Sequence, residues 1–96
     1  MDQGMLRKLQ MMQKQIQEKQ EQFMDEEFSI EKQGIEIKAK GSKKIVSIKI
    51  KESILLDPDD AETLEDLLSL AINELFDKID EEQQKIMPAM PSGLGF

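Results

Sequence analysis

The sequence contains no cysteine and no histidine. Without these residues the chain cannot form disulfides, and it lacks the commonest general base, the thiolate nucleophile and the usual zinc ligands. It also shows neither a charged-then-apolar leader nor an apolar run near twenty residues. These absences argue against an enzyme. We expect a cytoplasmic protein with no catalytic residue, cofactor, metal site, small-molecule substrate or membrane contact.

The length of 96 residues is sufficient for one domain with a modest core. At this size a dimer interface often completes the core. Residues 88–96 contain two prolines and two glycines, a composition typical of an irregular segment. We therefore predict one domain over residues 1–87 and a flexible tail over residues 88–96.

Charge is distributed unevenly along a chain whose formal net charge is −7. Residues 53–82 carry a net charge of −10, whereas residues 35–52 carry +4 and residues 1–22 carry +1. The acidity therefore belongs mainly to one element. The basic segments form a local positive surface that can attract an anionic partner despite the low overall pI.

A long helix is predicted near the N-terminus. The stretch "MLRKLQMMQKQIQEKQEQFM" is rich in Gln, Lys and Met, which favour helix, and we place the helix over residues 3–25. Apolar residues recur along it at steps of four, three, four and seven. They form a narrow apolar stripe of Met5, Leu9, Met12, Ile16 and Phe23. Because the rest of the helix is polar, the stripe needs a partner surface.

A second helix is predicted over the acidic segment. Asp57 is expected to cap it, since aspartate is a favoured N-cap residue, and Pro58 is expected at its first position. The acidic residues of the next turn suit the helix dipole. The helix should end near Lys85. Its apolar seam comprises Leu64, Leu68, Ala71, Leu75 and Ile79. No dense acidic loop such as an EF-hand accompanies the helix, so no metal site is predicted.

Three antiparallel strands are predicted between the helices. In the first strand, Phe28 and Ile30 alternate with polar residues. The same period of two fills "GIEIKAKGSKKIVSIKIK", residues 34–51, which contains six lysines. The predicted fold class is therefore α+β, with a long N-terminal helix, a three-stranded antiparallel sheet and a C-terminal helix.

The turn between the second and third strands sets their register. Gly41 and Ser42 suit a two-residue turn with Gly at the first central position. This turn would pair Ile37 with Val46. The apolar face of the hairpin would then contain Ile35, Ile37, Val46, Ile48 and Ile50.

The opposite face of this hairpin is expected to be rich in lysine. It would carry Lys38, Lys40, Lys43, Lys49 and Lys51, with little acidic compensation. One interpretation is a solvated face that also discourages edge-to-edge aggregation. The other is a patch that attracts anions. The residues alone leave both open.

The chain resembles the YbaB/EbfC family of bacterial nucleoid-associated proteins. The resemblance is carried by "ILLDPDD", by "LEDLLSLAINEL" (residues 64–75) and by the closing "GLGF", and the order of elements agrees over nearly the whole chain. It implies an α+β protein that forms an intertwined or tweezer-like homodimer. Such a dimer would grip duplex DNA with protruding helices, show limited sequence preference, and influence nucleoid organisation or gene expression.

Two sets of candidate residues follow from the charge pattern, the seams and the resemblance. Cations on the helix and on the sheet are candidates for DNA binding: Arg7, Lys8, Lys14, Lys19, Lys38, Lys40, Lys43, Lys49 and Lys51. Apolar residues are candidates for the core or the dimer interface: Ile37, Val46, Ile48, Leu64, Leu68, Leu75 and Ile79.

Two alternative functions remain. The layout of two helices joined by a hairpin also resembles prefoldin-type chaperone subunits, in which the client surface would here be Met5, Met11 and Met12. The second alternative is an adaptor that binds only protein, through its acidic helix.

Overall fold

The computed structural model describes residues 2–86. Two helices, three strands and a short 3₁₀ helix follow one another in this range. In chain order they are α1 (Gln3–Asp25), β1 (Glu27–Lys32), β2 (Ile35–Lys40), β3 (Ile45–Ile50), the 3₁₀ helix η1 (Ser53–Leu56) and α2 (Ala61–Ile86). The predicted α+β class and its three-stranded antiparallel sheet are confirmed. The predicted tail over residues 88–96 lies outside the described residues.

Helix α1 begins and ends where the sequence predicts. Asp2 caps it, because its Oδ1 accepts a hydrogen bond of 2.7 Å from the backbone N–H of Met5. The helix ends at Asp25, after which Glu26 is extended. Phe23 is its only buried residue, so most of α1 projects away from the sheet and contributes to a long molecule of 70 × 27 × 14 Å. Among residues 2–86, no helix combines the length and apolar character that crossing a bilayer requires.

The sheet has the order β1-β2-β3, and a tight turn joins its first two strands. Gln33 and Gly34 both have positive φ, 50° and 88°, as a two-residue hairpin turn of the primed type requires. Gly34 is also needed for space, because a Cβ there would overlap the Glu52 side chain.

The predicted register of the β2–β3 hairpin is wrong by two residues. Ile37 pairs with Ile48 rather than with Val46. The loop has three residues, not two, because the Lys40 N–H donates to the Lys44 carbonyl at 2.9 Å, and the last loop residue, Lys43, adopts a left-handed φ of 68°. A bulge beside Ala39 then leaves Val46 without a cross-strand partner.

The core lies between the inner face of the sheet and α2. The central strand contributes three fully buried residues, and α2 contributes three more at steps of four, which places them on one helix face. Phe23 from the end of α1 completes the cluster and packs against Phe28, with ring centroids 5.2 Å apart. The buried residues are Phe23, Ile35, Ile37, Ala39, Ala71, Leu75 and Ile79.

Helix α2 starts later than predicted. Asp57 does not cap it but holds a preceding turn, in which its Oδ1 accepts from the Asp59 N–H at 2.9 Å. Asp60 provides the contacts to the first turn, accepting from the Thr63 hydroxyl at 2.8 Å and from the Thr63 N–H at 3.4 Å. The helix continues to Ile86, one residue beyond the expected end near Lys85.

Gly41 is required by the contact between α1 and the sheet. A Cβ at this position would overlap the Phe23 carbonyl oxygen and lie 2.7 Å from a carbon of the Phe23 ring. The Gly41 N–H also donates to the Glu26 carbonyl at 2.9 Å. The end of α1 and the β2–β3 turn are therefore in direct backbone contact.

Replacing Gly41 by alanine is expected to lower the free energy of unfolding by about 1–3 kcal/mol, the usual cost of overpacking a tight contact. The matched control is Gly4→Ala in α1. A Cβ at Gly4 meets nothing closer than 3.4 Å, and alanine favours helix by up to about 1 kcal/mol over glycine. Urea unfolding checks both variants, and a Gly41→Ala protein as stable as the wild type would contradict this account.

Candidate nucleic-acid interface

The first two thirds of α1 form an exposed positive surface. Residues 3–17 contain three cations, Arg7, Lys8 and Lys14, and no acidic residue. All three cations are exposed. Within residues 2–86, no carboxylate pairs with them. Their charge is therefore available to an external anion.

The cations of α1 occupy two different faces. A step of seven residues is nearly two helical turns, so Arg7 and Lys14 lie one above the other. Their face is opposite the apolar stripe. Lys8 and Lys19 lie on one flank of that stripe instead. Structure therefore separates the four predicted residues of α1 into two pairs.

The apolar stripe of α1 is covered only at its C-terminal end. Ile16 is half-buried and Phe23 is buried. Met5, Leu9 and Met12 remain exposed, Met12 to 56%. The same helix thus presents an uncovered apolar face and, on the other side, a basic one.

The outer face of the sheet is less positive than predicted. Cross-strand partners share a face, so Glu27 lies beside Lys40 and Glu36 beside Lys49. Lys38 lies between Ser29 and Ser47. The face as a whole carries the lysines Lys38, Lys40, Lys49 and Lys51 and the glutamates Glu27, Glu31 and Glu36. The expectation of little acidic compensation is wrong, because Glu36 of the hairpin itself lies on this face and β1 adds Glu27 and Glu31, which the hairpin pattern alone could not reveal.

Lys51 bridges two of these glutamates. Glu31 and Glu36 stand opposite each other, an unfavourable like-charge pair. The Lys51 Nζ lies 3.3 Å from the Glu31 carboxylate and 3.2 Å from that of Glu36. A hydrogen bond from Lys51, together with its charge, lowers the pKa of Glu36, and hydrogen bonds to Glu36 and Glu31 raise the pKa of Lys51. Lys51 is therefore already paired within the chain.

Lys43 does not lie on the outer face, which corrects a second prediction. Its Nζ lies 2.7 Å from Asp80 and 5.8 Å from the centroid of the Phe76 ring, both on α2. The left-handed conformation in the longer loop turns this side chain towards the helix. Lys43 therefore contributes to the packing of the turn on α2.

The acidic residues before and at the start of α2, within residues 57–66, lie at the other end of the molecule, whereas Asp80 lies beside Lys43 at the end from which α1 leaves. Lys51 and Gly34 are joined by a backbone hydrogen bond of 2.7 Å, so η1 and the start of α2 follow from the β1–β2 end of the sheet. Helix α1 leaves from the opposite end, beside Gly41. The acidic residues around the start of α2 are thus separated from the positive part of α1 by the length of the sheet.

The candidate core and dimer residues fall into three groups. Ile37, Leu75 and Ile79 are buried within the single chain, and Leu64 and Leu68 are half-buried. The remaining two, Val46 and Ile48, are exposed to 48% and 44%. Only the exposed members have substantial apolar surface left for a second copy to cover.

The family model of the YbaB/EbfC DNA-binding family matches residues 1–94. The chain belongs to this family. It is 55% identical over 93 residues to a nucleoid-associated protein of Mycoplasma mobile, covering 97% of this chain and 96% of the relative. A nucleoid-associated protein of Mycoplasmopsis pulmonis is 43% identical over 89 residues, 93% of this chain and 88% of that relative.

The similarity extends to relatives of lower identity. A nucleoid-associated protein of Streptococcus agalactiae is 34% identical over 96 residues, covering 98% of this chain and 96% of the relative. Family membership and these names support a DNA-binding, nucleoid-associated function, as the resemblance implied. They favour it over the chaperone alternative.

Replacing Glu36 by glutamine is expected to reduce the sensitivity of the fold to acid. The folded-state pKa of Glu36 is lowered, so its ionised form contributes stability above the unfolded pKa of about 4.3. That contribution is lost as the pH falls through the folded-state pKa. The wild type should therefore lose more stability than Glu36→Gln between about pH 5 and pH 3.

Urea unfolding over this pH range measures the difference. Glu27→Gln is the matched control, because Glu27 lies on the same face and forms no ion pair within residues 2–86. It should behave like the wild type. Equal acid sensitivity of all three proteins would show that the Lys51–Glu36 pair contributes nothing.

Proposed function

We propose that the protein acts in the nucleoid as a homodimer that binds duplex DNA electrostatically, with limited sequence preference and without catalysis, through α1. The observation that carries the proposal is the exposed, acid-free surface of residues 3–17, whose three cations form no ion pair within residues 2–86. Duplex DNA presents one negative charge per about 1.7 Å of its axis, so a cationic helix is attracted to it without base contacts. The nearly balanced outer face of the sheet is a secondary candidate.

The homodimer is proposed from apolar residues that one chain leaves uncovered. Strand β3 is an edge strand, and α2 packs against β1 and β2 rather than over it. The adjoining η1 exposes Ile54 to 81% and Leu56 to 57%. Together they form the β3–η1 surface, defined by Ile45, Val46, Ile48, Ile54 and Leu56. Contiguous exposed apolar residues beside an unpaired edge are typical of an interface.

A dimer formed through this surface would duplicate the α1 cations. A two-fold axis repeats each cation, and a duplex backbone is itself nearly two-fold symmetric. If roughly four to six phosphates are neutralised per dimer, log K should fall with log salt with a slope of about −4 to −5. The dimer would then present the positive charge of α1 twice, which makes the modest charge of one helix effective for DNA binding.

Replacing Arg7, Lys8 and Lys14 together by glutamine should flatten this slope and weaken binding at low salt. The fold should be retained, because all three residues are exposed and glutamine favours helix almost as well as arginine or lysine. Fluorescence anisotropy with random duplex DNA at several salt concentrations gives the slope, and circular dichroism checks the fold.

The matched variant, in which glutamine replaces Lys38, Lys40 and Lys49, tests the outer face of the sheet. We expect a smaller effect, because three glutamates share that face. Loss of binding only in the sheet variant would move the site to the sheet. If the wild type binds no duplex at low salt, the DNA-binding proposal fails and the adaptor alternative, through the acidic α2, takes its place.

Ile54→Asp should dissociate the dimer without unfolding the chain. The side chain is mostly exposed within one chain, whereas a carboxylate buried at an apolar interface costs several kcal/mol unless it is paired. Light scattering at micromolar concentration should give about twice 11.0 kDa for the wild type and a smaller mass for the variant. Leu70→Asp is the control, since Leu70 is exposed on α2 and lies on the helix face opposite the buried Leu75 and Ile79. A folded wild-type monomer would contradict the homodimer.

A further inference from the structure

A second regular stripe runs along α1, and it is polar. Gln3, Arg7, Gln10, Lys14 and Gln17 follow one another at steps of four, three, four and three, which places them on one helix face. We call this set the polar stripe. It lies opposite the apolar stripe of Met5, Leu9 and Met12. Its cations are candidates from the charge pattern and the resemblance, whereas the glutamines of the same face were missed although their spacing repeats that of the cations.

Every residue of the polar stripe is exposed. The Gln17 amide donates to the Glu21 carboxylate at 3.5 Å, so at that point an acidic residue joins the same face. The part that suits an anionic partner therefore runs from Gln3 to Lys14. With a rise of 1.5 Å per residue it is about 16 Å long, which matches roughly five base pairs at 3.4 Å each.

The polar stripe offers more hydrogen-bonding groups than binding to phosphates requires. Cations alone suffice for phosphates, but a glutamine amide carries a donor and an acceptor and can contact adenine N6 and N7 together, as arginine contacts guanine O6 and N7. These atoms lie in the major groove. On the opposite face of α1, methionine and leucine offer no comparable hydrogen bonds.

The dimensions also favour this groove. A helix with its side chains is about 10–12 Å across, the major groove is about 12 Å wide and the minor groove about 6 Å. Because α1 projects from the sheet and is buried only at Phe23, its first part is free to enter a groove. Residues 3–17 contain no acidic side chain. This part of α1 therefore carries no negative charge that the phosphates beside the groove would repel.

We propose that α1 binds in the major groove of duplex DNA, with Arg7 and Lys14 against phosphates or guanine and with Gln3 and Gln10 on base edges. The inference rests on the proposed DNA binding and adds the groove and the base-contacting residues. A helix that touches base edges at a few positions gives a weak preference, superimposed on the electrostatic term.

The test compares two duplexes of the same sequence, one of them with 7-deazaadenine and 7-deazaguanine in place of the purines. This change removes the N7 acceptors in the major groove and leaves phosphates and minor-groove acceptors in place. Full-length wild-type protein should bind the modified duplex about three- to ten-fold more weakly, as expected for losing one or two specific hydrogen bonds. Anisotropy titrations at one low salt concentration measure the ratio.

Gln10→Ala should discriminate between the two duplexes less than the wild type does, because one base-edge contact is lost, and its salt slope should be unchanged, since no charge is removed. Gln15→Ala is the matched control: Gln15 is exposed on the same helix but lies away from the polar stripe, so this variant should keep the wild-type ratio. Alanine favours helix at both positions.

The outcomes separate the inference from the function on which it rests. Equal binding of wild type to both duplexes, with a steep salt slope, would overturn major-groove contact and leave electrostatic DNA binding intact. A ratio lost equally in Gln10→Ala and Gln15→Ala would remove the polar stripe as the contacting face. No binding to either duplex would overturn both proposals.

Discussion

The packing of β2 against α2 is the contact on which the other features depend. Ile35 and Ile37 are completely buried on the central strand, opposite Leu75 and Ile79 of the helix. Burying such a side chain is worth about 1.5–3 kcal/mol, so these few residues provide much of the stability available to a small domain. Because a strand alternates its faces, burial of these isoleucines also directs Glu36 and Lys38 outward. One contact therefore fixes both the core and the charged face.

This core is too small to use all the apolar surface of the chain. Helix α2 lies over β1 and β2, and it contacts β1 also through the ion pair of Lys32 with Glu74 and the hydrogen bond of Lys78 to the Ser29 carbonyl. As a result β3 is left at the margin, with Ile48 exposed on the inner face. Among residues 2–86, no element covers the N-terminal part of α1 either. Its direction depends on the junction with Gly41, where backbone atoms meet without an intervening side chain.

Periodicity made most of the fold predictable. The bounds of α1 and the strand order follow from spacings of three to four and of two, which reflect local geometry. The register of the β2–β3 hairpin does not follow from these spacings, because Gly41 has two possible roles. As a turn residue it suggests a two-residue loop, but its actual constraint is the approach of Phe23, eighteen positions earlier in the chain. A contact of that kind leaves no local signal, and the error carried over to Val46 and Lys43.

The candidate site was predictable to a lesser degree, since the order of charged residues along the chain does not show which charged side chains lie close together in the fold. The lysines of the sheet were evident, but their partial compensation by Glu27 and Glu31 of β1 depends on strand pairing. The reverse holds for α1, where no carboxylate within residues 2–86 pairs with Arg7, Lys8 or Lys14 because the helix projects away from the sheet. Around the start of α2 the acids lie beyond the far end of the sheet, and the molecule is 70 Å long. Since the Debye length at physiological ionic strength is about 8 Å, those acids barely affect the potential at Arg7. The charge near the contact, and not the net charge of −7, then governs attraction to a duplex.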